Sequence, residues 1–416
     1  MKNKKISGYK RQNGRTKNWK VMLIVLACSG ASILLGNRLT AKGVLPMTTD
    51  AKLNASFKEV DNIEKYSELF SIRDQIYQYY DGDISEEKLL EGAIKGMTMG
   101  LGDPYTYYMT EKEFSSFMEQ NSGEYMGVGL QVGVKDDDMI VMEPVEGGPS
   151  DKAGVLAGDI IKAINDVPIK AKDMDKAIEL MKGKEKAEIK LTLLRADKGE
   201  FDLKVTRDVV KTINVSGELI DDNVGYVKIR AFEEHVGDDF KAKLSELTES
   251  GMKGLILDLR GNPGGYMNEC VSVASNFIEK KKVIVSTTDK YGESEKNMSA
   301  GGDYIGLPLV VLIDGKSASA SEVVSGAIRD YKAGTLIGET SFGKGIVQIP
   351  VEQKDGSALK ITISKYYTPN GENIHGTGIK PDIEIAYPEE LKNSVYDRTK
   401  DTQFEKAMET IKSKIK

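Results

Sequence analysis

Lys316-Ser317-Ala318-Ser319-Ala320-Ser321-Glu322 lies between an apolar run, Leu307–Ile313, and a segment of helical spacing that begins at Val323. The apolar run is long enough for one buried strand and too short for most helices. The heptapeptide is therefore predicted to form a strand-to-helix corner, and functional sites form at the carboxyl ends of strands in open α/β sheets. A serine there lies beside free backbone N–H groups, which suits an oxygen nucleophile. The same residues also fit an ordinary helix start, because Ser319-x-x-Glu322 has the spacing of a capping box.

The charge distribution separates a basic N-terminal tip from an acidic body. Eight of the 58 Lys and Arg residues lie within residues 1–20, which contain no acid, so the rest of the chain carries 50 basic and 64 acidic side chains. An acidic body argues against nucleic acid as a partner. The two cysteines, Cys28 and Cys270, predict no intrachain disulfide, and the two histidines, His235 and His375, lie far apart, so no metal site is predicted.

Val21–Gly36 is a run of apolar and small residues without charge, flanked by Lys20 and Arg38. At about 1.5 Å per residue a helix of this length spans roughly 24 Å, somewhat less than a hydrocarbon core of about 30 Å. A cleaved signal peptide and a retained anchor both remain open, and the poor small-x-small sequence at residues 39–41 favours the anchor. The basic flank would then stay in the cytoplasm, which places the body of a single-pass cell-membrane protein outside; cleavage would make it secreted.

Two regions of different periodicity follow. Residues 57–120 keep helical spacing up to and beyond a turn at Gly102-Asp103-Pro104-Tyr105, which predicts a helical packing or dimerising segment. From residue 211 onward, apolar runs alternate with helical patterns, which predicts α/β layering. The candidate strands there are Val224–Ile229, Gly254–Leu259, Val283–Ser286, Leu307–Ile313 and Thr335–Ile337, and the candidate helices are Asp239–Leu247, Asn268–Glu279 and Glu322–Tyr331.

Residues 123–210 predict a separate β-rich module with an amphipathic helix over Asp173–Lys182. A glycine-opened strand starts at Gly127-Val128-Gly129-Leu130, and Leu156-Ala157-Gly158-Asp159-Ile160-Ile161 gives a turn and then a strand. This order closely resembles a PDZ domain, which binds extended C-terminal peptides by strand addition beside a helix. The resemblance implies that Gly127, Val128, Gly129 and Leu130 bind the peptide carboxylate through backbone N–H groups that glycines are free to turn toward an anion.

Two further stretches carry residues suited to catalysis. Asp258-Leu259-Arg260-Gly261-Asn262-Pro263-Gly264-Gly265 follows a predicted strand, and its glycines allow N–H groups to point inward together, as an oxyanion hole requires. Ser341-Phe342-Gly343-Lys344-Gly345-Ile346-Val347-Gln348 places Lys344 and Gln348 on one face if it is extended. A lysine acts as a base near neutral pH only if burial lowers its pKa from about 10.4 to roughly 7–8. An exposed lysine on a β-turn is the ordinary alternative.

Together these three stretches, the turn at 101–108 and the run Gly376–Asp382 strongly resemble the carboxyl-terminal processing (tail-specific) serine peptidases, over roughly residues 57–390. The resemblance implies a ClpP/crotonase-like core in which Ser319 is the nucleophile, Lys344 the general base and Gln348 its orienting partner. It implies oxyanion donors at Ala320 and at either Gly264 or Gly265. It also implies peptide-bond hydrolysis without a metal or organic cofactor, on protein substrates whose free, apolar C-terminus is bound by the gating PDZ domain. Arg195 is the candidate sensor of that peptide.

The predicted fold class is thus a multidomain α+β and α/β protein with an N-terminal membrane segment. Its predicted parts are a basic cytoplasmic tip (1–20), a transmembrane anchor or signal segment (21–41), a linker (42–56), a helical region (57–122), a PDZ domain (123–210), a serine peptidase domain (211–389) and a C-terminal helical region (390–416). The resemblance implies that the two helical regions frame a homodimer. It leaves open whether the substrates are signalling proteins of spore formation or envelope proteins.

Two rival functions remain from the sequence. One is a Ser-His-Asp hydrolase that uses His375 or His235, although no feature of the chain pairs either with Ser319. The other is a membrane-tethered PDZ scaffold whose peptidase fold is catalytically silent. Intact serine, lysine and glycine motifs favour the serine–lysine peptidase over both.

Overall fold

The computed structural model describes residues 64–221, 223–391 and 396–415. The chain divides into two compact units, 1–90 and 91–416. The described part of the first contains helix α1 (Glu64–Tyr79) and the start of α2 (Glu86–Met99). Glu86 accepts hydrogen bonds from Arg73 Nε at 2.6 Å and from the Tyr77 hydroxyl at 2.7 Å, which ties the two helices together.

The predicted basic tip, the membrane segment and the linker lie outside the described residues. Within the described ranges, none of the helices has both the length and the apolar character that a membrane crossing needs. The interpretation of Val21–Gly36 therefore stays a prediction.

The remaining helices and strands, in chain order, have the following bounds. The helices are α3 (Glu111–Asn121), α4 (Pro149–Ala153), α5 (Met174–Met181), α6 (Val236–Glu249), α7 (Met267–Ser275), α8 (Ala320–Asp330) and α9 (Thr402–Lys414). The strands up to residue 229 are β1 (Tyr107–Met109), β2 (Glu124–Gly127), β3 (Leu130–Lys135), β4 (Asp138–Pro144), β5 (Ile160–Ile164), β6 (Val167–Pro168), β7 (Glu188–Arg195), β8 (Gly199–Thr206), β9 (Asp208–Lys211), β10 (Val215–Ile220) and β11 (Val224–Ile229). The later strands are β12 (Gly254–Asp258), β13 (Val283–Asp289), β14 (Ser294–Met298), β15 (Leu309–Ile313), β16 (Thr335–Gly338), β17 (Ile346–Glu352), β18 (Ala358–Tyr367) and β19 (Ile383–Glu384).

The β-rich module forms an antiparallel sheet in the order β3-β4-β5-β7-β8, with the short β6 paired to β5. Its apolar core includes Ile161, Leu191 and Ala177 of α5, all fully buried. The glycine-opened strand is in fact two strands, because β2 ends at Gly127 and pairs with β9, whereas β3 begins at Leu130. Gly129 between them has φ +71°, a left-handed value that breaks an extended chain.

The α/β layering forms a six-stranded sheet in the order β10-β11-β12-β15-β16-β19, in which only the β10–β11 pair is antiparallel. Helices α6, α7 and α8 contribute to the core on one face. Every residue of β12 and β15 is buried, as expected for central parallel strands covered on both faces. The five predicted strands and three predicted helices of this region all occur, although α7 ends at Ser275, four residues before the predicted Glu279.

Helix α9 covers the opposite face of this sheet. Its apolar residues Phe404, Ala407 and Ile411 are buried in a cluster with strands β11, β12 and β15. Asp401 caps the helix by accepting hydrogen bonds from the N–H groups of Gln403 and Phe404. The C-terminal helical region therefore buries its apolar face within its own chain, and its predicted part in a homodimer frame remains untested.

A second, antiparallel sheet has the order β1-β18-β13-β14, with β17 also paired to β18. It corrects two predictions. The region 57–122 is not entirely helical, because Tyr107–Met109 forms β1 and pairs Tyr107 with Lys360. In addition, β17 begins only at Ile346, and a bulge lies between Val347 and Gln348, so period-two alternation does not place Lys344 and Gln348 on one face.

Candidate active site

Ser319 lies at the corner between β15 and α8, as the sequence predicts. Its backbone has φ +53° and ψ −111°, a sparsely populated conformation that costs a non-glycine residue on the order of 1–3 kcal/mol. The N–H of Ser319 donates to Glu322 Oε2 at 2.8 Å, and its carbonyl accepts from the Tyr366 hydroxyl at 3.2 Å. The capping-box alternative is thus realised in its Glu322 half, and the same contacts hold the strained corner in place.

Glu322 joins the nucleophile corner to the lysine loop. Its side chain is fully buried, and Oε1 accepts hydrogen bonds from Ser341 Oγ at 2.5 Å and from the N–H of Gly343 at 2.7 Å. Oε2, which already accepts from Ser319 N–H, also accepts from Lys344 N–H at 2.8 Å. One carboxylate oxygen therefore fixes the backbones of Ser319 and Lys344 side by side. The sequence indicated Glu322 only as a capping residue.

Lys344 is half-buried, and its Nζ lies 5.0 Å from the centre of the Tyr105 ring. The pKa of Lys344 is lowered to about 8, first by burial and then by the positive charge of Lys360, while the charges of Asp103 and Glu322 oppose the shift. Among the described residues no hydrogen bond joins Lys344 Nζ to Ser319 Oγ. Catalytic hydrogen bonds of this kind are often formed only with substrate bound.

Gln348 belongs to a polar network beside the lysine. Its Nε2 donates to Thr362 Oγ1 at 3.4 Å, and that hydroxyl donates to Asp103 Oδ2 at 2.7 Å. Burial of Asp103 raises the pKa of its carboxyl, but the hydrogen bonds from Thr106, Thr362 and the Tyr105 N–H outweigh burial, so the net shift is downward. Within the described ranges Gln348 makes no direct hydrogen bond to Lys344, so its orienting role remains a prediction.

The structure distinguishes the two glycines proposed for the oxyanion hole. Gly264 has φ +106°, and a Cβ there would lie 2.8 Å from Ser319 Cβ and 3.0 Å from Ala320 N, so only glycine allows this approach. However, the N–H of Gly264 already donates to Asn262 Oδ1 at 2.8 Å. The N–H groups of Gly265 and Ala320 donate to no acceptor in the described part of the chain, and they are therefore the available pair.

The module at 123–210 contains a groove between β3 and α5. The groove is a cavity of about 480 Å³, with an apolar lining that includes Val128, Leu130, Ile178 and Met181. Gly129, Val128 and Leu130 of the predicted carboxylate loop line it, whereas Gly127 is buried at the end of β2. Lys182 lies at the groove and forms an ion pair with Glu119 of α3 at 2.7 Å.

Arg195, the candidate peptide sensor, is engaged within the module itself. Its guanidinium donates to both carboxylate oxygens of Asp159, at 2.6 and 2.7 Å, and to the carbonyl of Gly154 at 2.9 Å. Burial raises the pKa of the Asp159 carboxyl, but the hydrogen bond from Arg195 and that from Leu156 N–H lower it more. These contacts give Arg195 a structural role here, and sensing stays a prediction.

The two histidines lie in different places. His375 is exposed and approaches the Tyr105 ring edge-on, with ring centres 6.4 Å apart. His235 precedes α6 with φ +71°. Neither is hydrogen-bonded to Ser319 in the ranges that the structure describes, and the same ranges hold no group of three or more residues suited to bind a metal ion.

A second cation lies at the same edge of the sheet and was assigned no role from the sequence. Arg260 follows β12 and is buried; Nε and Nη2 donate to Asp258 at 3.0 and 2.8 Å, and Nη1 donates to Asp401 at 2.8 Å. Burial alone lowers the pKa of Arg260, but the Asp258 and Asp401 carboxylates outweigh it and raise the pKa far above the usual value.

Comparisons with known proteins match these parts of the chain. Family models match peptidase family S41 over residues 223–385, a PDZ domain over 140–195, and the activating protease CtpB N-terminal domain over 30–113. The carboxy-terminal processing protease CtpA of Bacillus subtilis is 37% identical over 336 residues, which are 81% of this chain and 72% of that protein. The chain belongs to the carboxy-terminal processing proteases of family S41.

Two further relatives agree with this assignment. The carboxy-terminal processing protease CtpB of Bacillus subtilis is 33% identical over 385 residues, or 89% of this chain and 79% of that protein. A solved structure from Bacteroides fragilis assigned to the S41 proteases has a TM-score of 0.52 at 17% identity, covering 80% of this chain and 92% of its own, and supports the fold alone. The predicted family and its PDZ domain are confirmed, and the S41 match includes Ser319, Lys344 and Gln348.

Proposed function

We propose that this S41 protease is a serine endopeptidase in which Ser319 is the nucleophile and Lys344 the general base. The observation that carries the proposal is the single oxygen of Glu322 that accepts hydrogen bonds from the backbone N–H groups of both residues. A half-buried lysine with a pKa of about 8 is partly neutral near physiological pH, as a general base must be.

The proposed reaction proceeds through an acyl-enzyme. Ser319 Oγ attacks the scissile carbonyl carbon while its proton passes to Lys344 Nζ. The tetrahedral intermediate collapses, the C–N bond breaks, and the leaving amine takes the proton from Lys344. Water then attacks the ester with Lys344 again as base, which releases the new carboxylate and restores the Ser319 hydroxyl.

The oxyanion of each tetrahedral intermediate would be bound by the N–H groups of Ala320 and Gly265. Both are free of acceptors in the described residues, and Ala320 is the first residue of α8, where the helix dipole also favours negative charge. Gly264 would have a different role: its missing side chain lets the loop pack against Ser319. Gln348 would steady the lysine through the Thr362–Asp103 network.

The PDZ groove is proposed to bind the free C-terminus of the substrate. Its apolar lining suits a small or aliphatic terminal residue, and Gly129 beside β3 allows N–H groups to face the carboxylate. The bound peptide would extend β3 as an added strand. Chains without a free carboxylate would then be poor substrates.

Membrane tethering and dimerisation are proposed from two apolar segments near the N-terminus. The apolar run Val21–Gly36 supports an N-terminal anchor with an extracytoplasmic body, and α1 exposes Leu69, Phe70 and Ile72, which a second copy could cover. Sedimentation with washed membranes tests the anchor, and light scattering of the detergent-solubilised chain tests the dimer. Recovery of the full-length chain in the soluble fraction would contradict the anchor. A monomer mass at micromolar concentration would contradict the dimer.

The decisive experiment is mass spectrometry of an unstructured peptide ending in Val-Ala-Ala after incubation with the full-length protein. Ser319→Ala and Lys344→Ala are run beside the wild type, and the same peptide with an amidated C-terminus is the substrate control. Cleavage by the wild type alone, reduced at least tenfold by amidation, is expected. Cleavage that survives Lys344→Ala would overturn the dyad.

A catalytically silent PDZ scaffold is the second candidate from a different class. It predicts that the wild type and Ser319→Ala bind the peptide equally and that neither cleaves it. The strained Ser319 corner argues against it, because strain of this kind is retained where function requires it.

A further inference from the structure

The turn at residues 101–106 belongs to the N-terminal region, yet it is fixed rigidly to the sheet that carries β17. Asp103 accepts hydrogen bonds from the Tyr105 N–H at 2.9 Å and from Thr106 Oγ1 at 2.7 Å, which closes the turn. Thr106 Oγ1 in turn accepts from the Thr362 N–H at 3.0 Å, and β1 continues the pairing with β18 directly afterwards. The backbone of Tyr105 is therefore held on both sides.

The ring of Tyr105 is the group that this turn brings to the active site. It is half-buried, with Lys344 Nζ 5.0 Å from its centre and the His375 ring against its edge. Lys344 has no carboxylate within ion-pair distance among the described residues, and its ammonium contacts the Tyr105 ring instead. A contact of this geometry is attractive and covers the ammonium from water.

Tyr107, two residues further along the chain and the first residue of β1, contacts a different lysine. Lys360 Nζ lies 5.2 Å from the Tyr107 ring and 5.0 Å from the Phe117 ring of α3. Tyr105 in the turn and Tyr107 at the start of β1 therefore each contact one lysine ammonium. Because Lys360 has its own aromatic partners, the contact of Tyr105 with Lys344 is a specific pairing.

We propose that Tyr105 is a positioning residue for Lys344 and that the N-terminal region completes the active site by supplying it. A free lysine side chain samples many rotamers, because its four-carbon stem is flexible. The ring limits where Nζ can lie and shields it from water, so the amine is placed for the Ser319 hydroxyl. This inference rests on the proposed serine–lysine chemistry and adds a residue outside the part of the chain, 223–385, that matches the S41 family model.

The test compares Tyr105→Leu with Tyr105→Phe in the full-length protein, with Tyr107→Leu as the matched control. Leucine removes the ring and keeps an apolar side chain, whereas phenylalanine keeps the ring and removes only the hydroxyl. For the Val-Ala-Ala peptide, Tyr105→Leu is expected to lower kcat by about 10- to 100-fold with KM unchanged. Tyr105→Phe is expected to stay within about twofold of wild type, and Tyr107→Leu within about threefold, because a ring contact to another lysine contributes little here.

A second readout does not need cleavage. Competitive acetylation of lysines with trace acetic anhydride, mapped by mass spectrometry, is expected to label Lys344 faster in Tyr105→Leu than in the wild type or in Tyr105→Phe. Unchanged labelling together with unchanged or higher kcat would overturn the inference, as would equal losses of kcat in Tyr105→Leu and Tyr107→Leu. If Ser319→Ala still cleaves the peptide, the proposed chemistry fails instead, and the labelling result alone decides whether Tyr105 holds Lys344.

Discussion

Arg260 and Lys344 are both cations on loops at the carboxyl edge of the same sheet, but the protein treats them in opposite ways. Arg260 is 6% exposed, and carboxylates or an amide accept hydrogen bonds from its three guanidinium nitrogens. Lys344 is half-buried, and its ammonium contacts an aromatic ring with no ion-pair partner in the described residues. The pKa of Arg260 is raised, and that of Lys344 falls to about 8.

The difference between the two residues lies in pairing as well as in burial: carboxylates surround the guanidinium of Arg260, whereas Lys344 has none within ion-pair distance in the described residues. Burial disfavours the charged form of both residues. Arg260 stays charged because a guanidinium has a pKa above about 12, and its two carboxylate partners let it cross-link β12 to the start of α9. Without such partners the ammonium of Lys344 loses its proton readily, which a general base requires.

The largest expected effect comes from replacing Lys344 itself. Lys344→Met is expected to lower kcat by about 10³- to 10⁴-fold, because the proposed general base is lost, while the free energy of unfolding changes by less than about 1 kcal/mol, because no charge pair is broken. Peptide cleavage and urea unfolding measure the two effects. A large loss of stability would show that Lys344 is paired after all.

Arg260→Met is expected to have the opposite profile. It leaves Asp258 and Asp401 buried without their partner, so the free energy of unfolding should fall by about 3–5 kcal/mol. Urea titration measures this loss of stability. The control is Lys412→Met on α9, which breaks an exposed ion pair with Asp221 and should lower the free energy of unfolding by no more than about 1 kcal/mol. Equal losses in the two variants would contradict the assignment of Arg260 as structural.

Lys360→Met tests how a neighbouring charge sets the pKa of Lys344, through the pH dependence of activity. Activity should rise with pH as Lys344 becomes neutral, with a midpoint near the pKa of about 8. The charge of Lys360 lowers that pKa, so its removal should raise the pKa of Lys344. The rising limb of kcat against pH should therefore move to higher pH. Lys365→Met, on the same strand β18, should leave the limb in place. A limb that moves to lower pH with Lys360→Met would refute this electrostatic role.

The smallest expected effect is that of Asp103→Asn, which should shift the pH dependence of kcat in the direction opposite to that of Lys360→Met. The negative charge of Asp103 raises the pKa of Lys344, so its removal should move the rising limb to lower pH. Asparagine keeps one oxygen to accept from the Tyr105 N–H, so the turn should persist. Profiles of kcat against pH, measured by stopped assays for each single variant and for the double variant Asp103→Asn with Lys360→Met, give the midpoint of the rising limb. In the double variant this midpoint should return toward the wild-type value.

The sequence predicted the elements and residue types of the site better than the contacts between them. The strand-to-helix corner at Ser319, the strands of the parallel sheet and the order of the PDZ module follow from local periodicity, and all occur. The family resemblance supplied the roles of Ser319 and Lys344. Neither source indicated that Glu322 binds the lysine loop, because the capping-box spacing already accounts for a glutamate at this position.

Other features could not be predicted because they depend on contacts between distant segments. A three-residue strand such as β1 is too short to interrupt a helical pattern, and only pairing with β18 forms it. The bulge at Val347 and Gln348 likewise exists only relative to a partner strand. The pairing of Arg260 with Asp401 joins positions 141 residues apart, and nothing in the local sequence connects them.

The wide spacing of the site along the chain has a consequence for biosynthesis. During translation the turn with Tyr105 emerges first, the oxyanion loop and Ser319 follow, and Lys344 emerges later, while β18, to which both β1 and β17 pair, ends only at Tyr367. A nascent chain on the ribosome therefore carries Ser319, the proposed nucleophile, before Lys344, the proposed base, can be positioned. With the proposed chemistry, proteolytic activity would arise only when the fold is nearly complete, and the emerging chain would be protected from premature cleavage.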